Sequence, residues 1–205
     1  DDGAKGFILK AKWSSYSDDS VLQKYDTKFW KALAKDFNDP SKVEFIDGFG
    51  LGKWGEYHTM IYSTGDDTSK KAVFDWVTDI YSQAFDKVPV VINYHRWIGA
   101  GKDWVDDEHF AVDSEEMLEE AIKKGYSLRH DAFGMTTYYG SWERRFAKKY
   151  RNICPIIMEG GWIVKSHSYW QDPRGYRKDS HEDVRRGEFD DSKEAHVNMM
   201  DFRFG

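Results

Sequence analysis

The chain has one cysteine, Cys154, in 205 residues. No internal disulfide can form, and the thiol lies in an apolar stretch, where it reads as a small buried hydrophobe. A basic excess is also missing. Lys and Arg number 30 against 36 Asp and Glu, a net charge of −6, which gives no electrostatic footprint for nucleic acid or an anionic membrane. No apolar run approaches the ~20 residues needed to span a bilayer. No signal peptide is recognisable, and a start at Asp1 rather than Met reads as a processed or truncated product whose export signal would already be gone. No linker, low-complexity tract or repeat divides the sequence, so one domain over residues 1–205 is expected. What is plentiful is aromatic surface. Phe, Trp and Tyr make up 17% of the chain, including nine Trp, more than packing needs, and this points to an aromatic-lined site as well as a core.

Apolar residues recur at three- and four-residue steps over 21–37, 69–85, 114–124 and 141–150, the period of amphipathic helices, with Ser114 as a cap. A shorter helix is predicted over 181–186. Between them, short apolar runs at 6–12, 43–47, 88–94, 126–129, 153–158 and 195–200 read as six strands. Alternation of strand and helix specifies an α/β fold with a parallel sheet. A doubly wound sheet and a barrel both fit that order, but no dinucleotide-type glycine loop follows any strand. The glycines of Gly48 to Gly52 lack its spacing and an immediate helix. Charged and polar residues gather instead after successive strands: Glu56, His95, Asp131, Glu159 and Asp201. In a (β/α)8 TIM barrel those carboxyl ends form one mouth, where residues distant in sequence meet one ligand.

The stretch ICPIIMEGGW, Ile153 to Trp162, carries the most chemistry. A strand apolar on both faces, as a covered parallel strand is, leads to Glu159. Gly160 and Gly161 then permit a sharp turn, and Trp162 sets a flat apolar surface beside the acid, as in a sugar site. Trp54, Glu56, Tyr57 and His58 follow the second strand. His95, Arg129, His130 and Asp131 close adjacent strands and are candidates to bind hydroxyls or orient acids. Trp162, Trp170 and Tyr138 are candidates to stack on sugar rings, and Asn198 with Asp201 closes the last strand.

The segment Phe37 to His58, with Trp-Gly-Glu at 54–56, together with IIMEGGW at Ile156 to Trp162, resembles the clan A glycoside hydrolases, (β/α)8 enzymes of the β-galactosidase and β-agarase type. If the strand at 43–47 is the fourth of that barrel, the strand before Glu159 is the seventh. The resemblance then implies Glu159 as nucleophile and Glu56 as acid/base, with Trp54, His58, His95, Arg129, Asp131, Trp162, Trp170 and Asn198 binding substrate. Gly55 stands where the clan has Asn before its acid/base, and Asp47 is the alternative acid. The count makes the strand at 6–12 the third. An incomplete barrel of about six β/α units is then expected, completed by a missing N-terminal segment or a second chain, unless the count itself shifts. Enzymes of this class need no metal or organic cofactor, and a secreted or periplasmic location is expected from the class.

Such hydrolysis needs two carboxyl groups flanking the bond, ~5–5.5 Å apart for retention and ~6.5–9.5 Å apart for inversion of configuration. Two other readings use the same residues. A carbohydrate-binding barrel, or degenerate glycosidase, would keep the aromatic surface without the acid pair. A metal-dependent amidohydrolase-like barrel would use His95, His130 and Asp201, although the His-x-His pair of that family occurs nowhere in the chain. HEDVRR at His181 has Arg185 where the zinc motif HExxH needs its second His.

Overall fold

The structure, a computed structural model, describes residues 20–48, 51, 55–57, 67–98, 113–133, 139–160, 172–177 and 179–201. Their elements, in chain order, are α1 (Ser20–Phe37), β1 (Ile46–Asp47), α2 (Asp67–Ala84), β2 (Val90–Asn93), α3 (Ser114–Lys123), β3 (Ser127–Phe133), α4 (Ser141–Tyr150), β4 (Ile156–Gly160), α5 (His181–Ala195) and β5 (Met199–Asp201). The fold is α/β, and the strand pairs β1–β2, β3–β4 and β4–β5 are all parallel, each joining neighbours in sequence. The strand expected at 6–12 lies outside the described residues.

The chain forms two compact units. The first contains α1, β1, α2, α3 and the first three residues of β2. Val90, Val91 and Ile92 are buried, and β1 pairs along them through Ile46↔Val90 and Asp47↔Val91. Glycine is required at 48, because a Cβ there would meet the Val91 carbonyl oxygen at 2.8 Å; Gly48 N donates to that same oxygen at 2.8 Å. At the end of α1, Asn38 Oδ1 accepts from Lys87 N at 2.9 Å and Val88 N at 3.2 Å. The turn that stops the helix thereby fixes the approach to β2. Trp30 of α1 packs on Tyr81 of α2, with ring centroids 4.1 Å apart. At α3 the N-cap is Asp113 rather than Ser114, which is the first helical residue and is buried.

The second unit contains Asn93–Arg96 and the chain from Ser127 onward. Tyr94 N donates to Arg129 O at 2.8 Å, so this short segment extends along β3. One face of β3 and β4 is covered by aromatic rings. Tyr94 lies 5.2 Å from His130 and 5.7 Å from Phe146 of α4, and Tyr139 lies 5.0 Å from His130 and 5.4 Å from Phe133. His130 and Phe133 are three residues apart, which in a regular strand puts them on opposite faces. They share Tyr139 because the register slips between them: His130 pairs with Met158 and Phe133 with Gly160, three steps on β3 against two on β4. The extra residue is a β-bulge.

β4 alternates buried Ile156, Met158 and Gly160 with half-buried Ile157 and Glu159. The expected strand at 153–158 is displaced toward its end. Ile153 and Cys154 precede it, Ile153 exposed and Cys154 a half-buried free thiol rather than a strand residue; burial pushes the Cys154 thiol up to about 11. α5 runs nine residues beyond the expected end at 186, through Ala195, where the sequence pattern predicts the start of the last strand. Its buried positions Val184, Gly187, Glu188, Asp191 and Ala195 keep helical spacing, yet two are acids.

Candidate functional site

Glu159 is the fourth of five residues in β4, so the strand carries it rather than ending before it. Its pairing with Asp201 of β5 extends the ladder this far. Parallel strands align side chains on one face, and Arg129 stands opposite Ile157, one pleat repeat before Glu159. From there the Arg129 guanidinium reaches forward, and its Nη2 donates to Glu159 Oε2. The two side chains are 10% and 12% exposed. This pair lies on the face opposite the ring cluster, because Glu159 alternates with Met158 and Gly160. Asp131 follows at the bulge, with its Oδ1 3.9 Å from Nδ1 of the buried His130.

Glu56 belongs to the first unit and is held differently. It forms an isolated parallel bridge with Leu51 and lies half-buried between two residues in the left-handed region, Gly55 at φ 82° and Tyr57 at φ 65°. For tyrosine that conformation costs roughly 1–2 kcal/mol and persists only where the surroundings impose it. Here they do. Tyr57 is buried, its N donates to Leu51 O at 2.8 Å, its hydroxyl donates to Gly48 O at 2.5 Å, and its ring meets Phe74 edge-on at 6.1 Å. The backbone at 55 also explains why a glycine occupies the place where Asn was the expected neighbour of the acid.

A second Arg–Glu pair, marked by no motif in the sequence, joins Arg96 to Glu143. Arg96 follows β2, and Glu143 is three residues into the helix that begins after Gly140. Glu143 Oε1 accepts from Arg96 N at 2.9 Å, and its Oε2 accepts from Arg96 Nη1 at 2.7 Å and Gly140 N at 2.8 Å. The last of these is half of a capping box; Gly140 has no side chain to supply the other half. Arg96 and Glu143 side chains are 1% and 0% exposed. Burial pushes the Glu143 carboxyl above the usual carboxylate range, against the pull of Arg96 and the backbone N–H groups. The available signal was the spacing of Glu143 from the helix start.

A third charged group joins the segment 172–177 to the helices of this unit. Asp191 accepts from Arg144 Nε at 3.0 Å and Nη2 at 3.2 Å, and also from Arg174 Nη1 at 3.0 Å and Nη2 at 3.2 Å. Arg174 Nη2 donates to Asp172 Oδ2 at 2.7 Å as well. Burial raises the Asp172 carboxyl, but the Arg174 contacts outweigh it and leave the group below its ordinary value.

Of the remaining sequence candidates, His95 is buried just beyond β2. Asn198 lies at the other end of β4 from Glu159, where its N donates to Ile156 O at 2.9 Å and its Oδ1 accepts from Ile156 N at 3.0 Å. It extends the sheet there. Trp54, His58, Trp162, Trp170 and Tyr138 lie outside the described residues. The structure thus joins Arg129 to Glu159 and separates Asn198 from them by the length of a strand. Among the described residues, no group of three His, Cys, Asp or Glu is arranged to hold a metal ion, and no helix is long and apolar enough to cross a membrane. No protein-family model, curated protein or solved structure matches the chain.

Proposed function

We propose that the chain is the catalytic part of a (β/α)8-type glycosidase of the clan A kind, acting on an oligo- or polysaccharide, with Glu159 as nucleophile and Glu56 as acid/base. The observation that carries this reading is Glu159 itself, a carboxylate near the carboxyl end of a parallel strand, on the face away from the covering rings and in contact with a guanidinium. Catalytic groups of α/β barrels come from that end of the strands. The backbone around Glu56 adds support, since conformations held against their own cost cluster at working sites.

In the retaining course, a Glu159 oxygen bonds to the anomeric carbon as the glycosidic C–O bond breaks, and the departing oxygen takes the Glu56 proton. Water then gives a proton back to Glu56 and its oxygen to the anomeric carbon, which releases Glu159.

The test is hydrolysis of a panel of aryl glycosides and oligosaccharides by the purified chain. Glu159→Gln is expected to lose at least about 10³-fold in kcat while still binding ligand, a loss in the range of a chemical group removed from the reaction. Glu159→Ala with added azide is expected to regain turnover and release a glycosyl azide. Wild-type protein that hydrolyses nothing in the panel would end the proposal. Binding without turnover would instead select the carbohydrate-binding reading, which Gly55 in place of Asn before Glu56 favours.

A further inference from the structure

We propose that Arg129 is the positioning residue for Glu159, holding its carboxylate charged and aimed along the strand, so that Glu159 attacks and another carboxyl must donate the proton. The attacking role rests on the glycosidase reading; the charge on Glu159 does not.

Three observations meet at this point. The register puts Arg129 one pleat repeat behind Glu159 on the same face, so the guanidinium spans to the carboxylate along the strand direction rather than across it. Both side chains are about nine-tenths buried, so water competes little for the contact. β4 also holds the carboxylate on a rigid element paired on both sides, to β3 and to β5. A cation within contact distance favours the ionised form of a carboxyl, whereas a neighbouring carboxylate disfavours it.

Charged residues occur on three elements that adjoin β4. β3 supplies Arg129, His130 and Asp131, with His130 turned to the ring cluster on the other face. β5 supplies Asp201, opposite Glu159 in register. α5, which also packs on β4, brings Glu188 and Asp191, but these are engaged by Arg185 and by Arg144 with Arg174. Arg129 is a cation in direct contact with Glu159, and its charge favours the ionised carboxylate. Its removal should therefore be felt in the ionisation of Glu159. A sugar-binding role for Arg129 would predict otherwise: substrate affinity would fall, and the ionisation of Glu159 in the free protein would stay where it was.

The experiment titrates the Glu159 carboxyl by ¹³C NMR in the full chain, assigned with Glu159→Gln, for wild type, Arg129→Gln and Arg129→Lys. Wild-type Glu159 is expected to titrate below the ordinary Glu value of about 4.3, and a midpoint at or above that value overturns the proposal even if no variant folds. Arg129→Gln is expected to raise the midpoint by about 1 pH unit or more; a midpoint unchanged from wild type also overturns it. Arg129→Lys keeps the charge without the planar fork, so it is expected to hold the midpoint low and lower kcat more than it raises KM. If the chain hydrolyses glycosides, the acidic limb of kcat/KM moves with the same midpoint. A shifted titration in a chain that hydrolyses nothing removes the glycosidase reading and leaves the Arg129 assignment of charge intact. Intact turnover with an unmoved titration removes the Arg129 assignment alone.

Discussion

Two of the Arg–Glu pairs in the second unit, Arg96–Glu143 and Arg129–Glu159, are made of the same chemical groups and do different things. Around Glu143, two donors from Arg96 and one from the backbone of Gly140 fill both carboxylate oxygens, and the side chains are sealed from water. Around Glu159, Arg129 contacts one oxygen and about a tenth of each side chain remains exposed. A buried ion pair whose carboxylate oxygens are both filled ties elements together and has no room for a substrate atom. A pair left slightly open to water, near the end of a strand, can be approached by one. The degree of closure, more than the identity of the residues, separates a structural pair from a chemical one.

Breaking the closed pair should have the largest effect. Glu143→Ala strands the Arg96 charge in a sealed site, and a loss of about 3–5 kcal/mol is expected in urea unfolding; a loss under about 1 kcal/mol would mean that water reaches Arg96 and the contrast fails. A gentler probe is Gly140→Ala. Gly140 has ordinary extended backbone, so the cost is steric alone: the added methyl meets Arg96 Nη1 at 3.3 Å and Glu143 Oε2 at 3.4 Å. In a pair with nowhere to move, this overpacking should cost about 1–2 kcal/mol, whereas a neutral outcome would reveal slack. The smallest effect on folding is expected from Glu159→Gln, about 1 kcal/mol, because the amide oxygen can still accept a hydrogen bond from Arg129. Thermal unfolding of this variant beside its turnover sharpens the comparison, since a chemical role predicts a large loss of rate with little loss of stability.

Much of the architecture was legible because hydrophobic period reports it directly. The helix over 141–150 was read with its final boundaries, since Trp142, Phe146 and Tyr150 recur at four-residue steps and all three are buried. The far half of α5 was not legible, because its inner face is made of acids. Glu188 and Asp191 are buried by partnership with Arg185, Arg144 and Arg174, and a pattern search for apolar stripes passes over such a face. Strand ends were equally hard to read. Glu159 lies within β4 and β3 runs on to Phe133 because ladder partners extend them, and partners are a property of register, which a single sequence does not display.

The same limit applies within the candidate site. Arg129 and Glu159 both stand near predicted strand ends, but their pairing depends on a two-residue offset from the strand register, and the two residues are 30 apart in sequence. The hold on Glu56 was invisible for another reason. Gly55 hints at a left-handed turn, but nothing in the letters indicates that Tyr57 adopts one too.

The slip in register between His130 and Phe133 leaves β3 one residue longer than the ladder beside it needs. Removing one residue from the pair Asp131 and Ala132 would make the two strands count alike, and the Phe133 ring would stay in its oily lining, two places after His130. A deletion of one codon there would straighten the strand without turning that ring over, which makes it a cleaner probe of the kink than any point substitution.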